Sequence, residues 1–131
     1  MKIEKPYNYG GFYFMALFNQ TPDVEQMRQW KNEWKKLFKT TLVDGTILIW
    51  RRLKRSEYRH FMREYQGVND RDERIWEREE AICRACILFP DQDKVDEIIE
   101  TQAGIATLLS DDIFANSGFA VKEETEEIDV E

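Results

Sequence analysis

The stretch Lys39-Thr40-Thr41-Leu42-Val43-Asp44-Gly45-Thr46-Ile47-Leu48-Ile49-Trp50-Arg51-Arg52 sets two apolar, β-branched runs around Asp-Gly. Asp-Gly is the preferred centre of a type I′ turn, in which both central residues take positive φ, so a β-hairpin is predicted at 39–52. A lone two-stranded hairpin is marginal in water, so this one must pack on helices or pair with another strand. Its open edges offer one route to oligomers.

The flanking patterns are helical. Thr21-Pro22-Asp23 predicts a helix start, with Thr21 as N-cap and proline in the first helical position. Val24, Met27, Trp30, Trp34, Leu37 and Phe38 then give one buried stripe on a helix over 22–38. Arg28, Lys31, Lys35 and Lys36 back that stripe. Ser56 is the expected cap of a helix through Tyr58, Phe61, Met62 and Tyr65 that ends at Gly67. Asn69-Asp70 opens a longer helix, from Ile75 and Trp76 through Ile82 to Phe89, stopped by Pro90. A short helix around Val95–Ile99 follows, and after the Ala103-Gly104 break a last helix carries Ile105, Leu108, Leu109, Ile113 and Phe114. Gly118, after Ser117, supplies its positive-φ stop, with Phe119 placed to fold back. The expected fold is mainly α with a β-hairpin (α+β). It is one compact domain of four to five helices at 21–119, between an aromatic N-terminal arm (1–20) and an acidic tail (120–131).

A chain of 131 residues carries one sizeable core. At 42% hydrophobic and 13% aromatic residues it is too apolar for a disordered chain. No run approaches the roughly 20 apolar residues of a membrane span, and Met1-Lys2-Ile3-Glu4-Lys5-Pro6 lacks the apolar stretch of a signal peptide. The expectation is a soluble, cytoplasmic protein. Its net charge of −7 is unevenly placed. Residues 28–63 hold eleven Lys/Arg against three acids, whereas 91–131 hold thirteen acids against two lysines. Such asymmetry signals either a charged partner or two parts of the chain answering each other.

Catalytic chemistry finds little to work with. Cys83 and Cys86 lie inside an apolar helical pattern, not at a helix start where a redox pair would sit, and read as core residues. With the single His60 they fall short of a zinc set. His60, between Arg59 and Phe61, has no nucleophile at hand. Gly10-Gly11 lacks the lysine and spacing of a phosphate loop, and Asp91, Asp93 and Asp96 lack the glycine and glutamate of a calcium loop. No enzyme, metal or cofactor is expected. The binding candidates are the basic run Arg51, Arg52, Lys54, Arg55, Arg59 and Arg63, with Trp50 and Tyr58 available for stacking, and the arm aromatics Tyr7, Tyr9, Phe12 and Phe14. Nucleic acid is disfavoured as the partner, because a net-acidic chain repels it at long range.

Three segments carry a family resemblance. The hairpin and its exit, Val43 to Tyr58, resemble a strand, Arg-x-Leu-x-Arg-x-Glu-Tyr and helix start. Ile82 to Pro90 resembles an apolar helix closed by aromatic-Pro. Ala103-Gly104-Ile105, then Leu109, Ile113 and Ser117-Gly118-Phe119, is similar to a C-terminal signature. Their order resembles that of the tail assembly chaperones and baseplate-hub assembly proteins of tailed bacteriophages, across roughly 37–119. The resemblance implies a non-enzymatic protein of tail or baseplate morphogenesis, in the host cytoplasm during assembly or in the virion. Its partners would be other tail proteins (tape measure, hub or baseplate subunits) or further copies of itself. Asp44, Gly45, Gly104, Ser117, Gly118 and Phe119 are the signature positions. The rival reading is a nucleic-acid or transcription adaptor using the 51–63 patch.

Overall fold

The computed structural model describes residues 7–9, 12–14, 21–67, 74–119 and 127–128. Strand β1 (Tyr7–Tyr9) pairs antiparallel with β2 (Phe12–Phe14), Tyr7 opposite Phe14 and Tyr9 opposite Phe12. The contact roles expected of these four side chains lie outside what is described.

Helix α1 spans Val24–Trp34, shorter than expected at both ends. Asp23, not Thr21, is the N-cap, its carboxylate accepting from the Glu25 amide at 2.9 Å. Pro22 therefore precedes the cap. Lys35 stops the helix at φ 67, its amide donating to the Lys31 carbonyl. The anticipated buried stripe is only half covered: Met27, Trp30 and Trp34 are half-buried, and Val24 is exposed.

Leu37 and Phe38 belong instead to strand β3 (Leu37–Thr41), which pairs antiparallel with β4 (Ile47–Arg51). The hairpin is present but its turn differs from the expected type I′. Only Gly45 has positive φ, at 91. The Gly45 amide donates to the Leu42 carbonyl, and the Leu42 amide to that of Thr46. This is the three-residue loop with a glycine bulge, the next most common hairpin solution. Asp44 stays out of the left-handed region and accepts from the Thr46 amide at 2.9 Å.

Helix α2 (Arg55–Glu64) begins one residue before Ser56. Glu57 holds its start by accepting from the Lys54 amide at 2.9 Å, one half of a capping box. The start expected at Asn69-Asp70 lies outside the described residues; α3 runs Arg74–Cys86. Its expected last turn is a strand. Ile87–Phe89 forms β5, pairs with β4 and completes a three-stranded antiparallel sheet of order β3-β4-β5. Pro90 disfavours the helical region for Phe89, and the apolar β4 gains a second partner from the extended run. Lys39 sits exposed in the middle of β3, at the sheet's edge, where a lysine blunts strand addition.

Helix α4 (Gln92–Thr101) is capped by Asp91, and α5 (Ile105–Phe114) follows Gly104. Strand alternation sends Leu48 and Trp50 into the main cluster with Ile82, Cys83, Cys86, Val95, Ile98, Leu109 and Ile113. The compact α+β architecture holds, with five helices among the described residues. Beyond α5, Ala115–Phe119 unwinds at Ser117, and Gly118 ends it at φ 96. The Ser117 hydroxyl accepts from the Leu53 amide at 3.0 Å and donates to the Ile113 carbonyl, fastening the end of α5 to the hairpin's exit.

Candidate functional site

The passage from β4 into α2 carries the basic run, and the structure divides it in two. Arg51 is only 6% exposed. Its guanidinium grips Glu57 with two parallel bonds, donates to the Ala85 carbonyl at 2.7 Å, and lies over the Trp34 ring at 4.1 Å. Burial works against both charges and is the largest influence on each. The bonds between them more than offset it, so the Glu57 carboxyl sits below its ordinary value and Arg51 above its own. Arg51 is thus a joint between strand, helix and α3, and this corrects its expected place among the outward contacts.

Trp50 is corrected in the same way. It is 3% exposed, stacks on Phe38 at 4.4 Å between ring centres, and donates its indole N–H to Thr40 at 2.9 Å. No face is left for a base. Tyr58 is half-buried, edge-on to Phe114, with the Arg55 guanidinium 5.3 Å from its ring centre.

Arg52, Lys54, Arg55, Arg59 and Arg63 are all exposed. Arg55, Arg59 and Arg63 recur every four residues and form one ridge along α2, successive positions rising about 6 Å along the helix. Lys54 leans over Trp34 at 4.6 Å, beside a hollow lined by Glu33, Trp34, Arg52, Leu53 and Ser117. Arg52, Arg59 and Arg63 make no ion pair among the described residues.

The signature positions serve the frame. Asp44 and Gly45 shape the turn, Gln102 reaches Asp44 at 3.5 Å, and Gly104, with φ −89, simply precedes α5. Ser117 and Gly118 close α5 as expected, and the Phe119 side chain lies outside the described set. His60 is exposed with its ring 5.6 Å from Phe61. Asp91 caps α4, and Asp96 pairs with Arg84 at 2.6 Å. Among the described residues no group of three His, Cys, Asp or Glu side chains is gathered as a metal would need, and no helix is long and apolar enough to cross a membrane.

Both cysteines are fully buried, Cys83 donating to the Ala106 carbonyl at 3.5 Å. Burial pushes both thiols up to about 12, so little thiolate exists near neutrality. In the native protein neither is expected to react with a thiol reagent at about pH 8, and both should react once the chain is unfolded. Fast native labelling counted by mass spectrometry would contradict this packing.

Sequence reading missed Glu57, the lone acid among the cations from Arg51 to Arg63, whose isolation was the available signal. It also missed an apolar groove between the hairpin turn and α5, lined by Leu42, Val43, Leu48, Ile105, Leu108 and Leu109. Comparison with protein-family models, with curated proteins and with solved structures gave no match.

Proposed function

We propose that the chain is a non-enzymatic morphogenesis protein of a tailed bacteriophage, acting in tail or baseplate assembly through protein–protein contact. The reading rests on the resemblance over 37–119 and, for its contact surface, on one observation. Arg51 is consumed internally, while Arg52, Lys54, Arg55, Arg59 and Arg63 stand outward on the elements it braces. A braced ridge of cations suits an acidic surface on a tape measure, hub or baseplate subunit. The reading places the protein in the host cytoplasm during assembly, whether it then leaves or stays in the particle.

The test is affinity capture of co-encoded tail proteins with the whole chain and with an Arg55→Glu, Arg59→Glu, Arg63→Glu variant. Capture by the parent, with a loss of about tenfold or more in the variant, is expected. The proposal falls if no tail protein binds, or if the parent instead retains DNA or RNA with a steep salt dependence that the variant lacks.

A further inference from the structure

The molecule presents a second charged face, opposite in sign. Arg84 on α3 meets Asp96 on α4 at 2.6 Å, and about two turns back along α3 Trp76 shares a hollow with Ala103, just past the end of α4. The two helices therefore run antiparallel along this seam, which sets Glu80 level with Glu100. Asp93, Asp96 and Glu100 form one stripe of α4 beside Glu77 and Glu80 of α3, and Trp76, 59% exposed, stands at the end. Glu77, Asp93 and Glu100 make no ion pair among the described residues.

We infer that this face seats the Arg55–Arg59–Arg63 ridge of a second copy, so that chains join head to tail. Three observations select that occupant. The signs are opposite, and although Arg84 takes up Asp96 and Glu80, the acids Glu77, Asp93 and Glu100 and the cations Arg55, Arg59 and Arg63 make no ion pair among the described residues. The lengths agree, since the eight residue steps from Arg55 to Arg63 span about 12 Å and the seven from Asp93 to Glu100 about 10 Å. The chemistry already occurs once in this fold, where Arg51 lies on Trp34 while gripping Glu57. Trp76 flanked by Glu77 and Glu80 offers an arginine the same aromatic plane and carboxylate. A large exposed tryptophan at the edge of a charged patch is the residue type that anchors interfaces. Because the two faces differ, the contact is heterologous, and repetition gives a closed ring or an open chain. The inference does not rest on the phage reading.

Sedimentation velocity of the whole chain across concentrations tests it. Self-association is expected at about 50 mM salt and marked weakening at about 500 mM, where exposed charges are screened. The basic-ridge reversal (Arg55→Glu, Arg59→Glu, Arg63→Glu) and the acidic-face reversal (Glu77→Lys, Asp93→Lys, Glu100→Lys) should each sediment as monomers. Mixing the two should restore association, since every joint is then complementary again. Trp76→Ala should weaken the parent's association about tenfold, with an unchanged circular dichroism spectrum. A parent that stays monomeric at low salt overturns the inference. So does association that survives either reversal in a folded variant, or that ignores Trp76→Ala yet disappears when the six acids of 120–131 become amides, which would make that segment the occupant.

Discussion

Replacing Arg51 with alanine is expected to lower unfolding free energy by about 3 kcal/mol, because it leaves the mostly covered Glu57 carboxylate without its partner. The Ala85 carbonyl loses its donor and the Trp34 ring its cation in the same step. Denaturant melts followed by tryptophan fluorescence measure the effect. A change below about 1 kcal/mol would mean that the joint is no better than a surface ion pair. The companion variant Glu57→Gln adds a pH signature. The Glu57 carboxyl is held below its ordinary value of 4.5, so ionised Glu57 stabilises the fold fully above that pH. Its contribution is lost as pH falls through the depressed folded-state value. The gap between the parent and Glu57→Gln should therefore be constant near neutrality and close in acid. Arg51, held above its ordinary value, adds no pH dependence in any range where the protein is handled.

Trp50→Ala should be of similar severity, about 3–5 kcal/mol, from the cavity left by a large buried side chain. The ring's stacking on Phe38 and its bond to Thr40 tie β3 to β4 on the core side. Trp50→Phe should recover most of the packing while leaving the Thr40 hydroxyl short of a donor, at a cost nearer 1–2 kcal/mol. Calorimetry of the three proteins ranks them. If Trp50→Ala melted like the parent while losing affinity for a ligand, the residue would be a contact and not a core member.

What the sequence disclosed and what it hid follow from how each feature is encoded. The turn at Asp44-Gly45 and the stop at Gly118 were legible because glycine at positive φ is a local requirement. The turn's type was less so: Asp44 satisfies either loop, and the choice of a bulge rests on Leu42 pairing with Thr46. Leu37–Phe38 and Ile87–Phe89 were assigned to helices because a short apolar run has no period of its own. Their strand conformation comes from β4, a neighbour that no local window contains. Five of the six cations of the basic run lie exposed and one is buried. Arg51 escaped because its partners are six residues away at Glu57 and thirty-four away at Ala85. The acidic seam is hidden for a related reason, since Arg84 and Asp96 meet only once α3 and α4 lie side by side.

The bond between Ser117 and Leu53 bridges sixty-four residues of sequence. It therefore sets an order on events at the ribosome. The hairpin, α2 and the central strand pair are all synthesised well before residue 117 leaves the exit tunnel. Until then the Leu53 amide lacks its Ser117 partner, and Trp50 and Phe61 lack Leu109 and Ile113 of the cluster they share. A chain ending before Ser117 would thus carry the cations of α2 on an incomplete core, and presentation of that surface waits on α5 being free to fold against the hairpin.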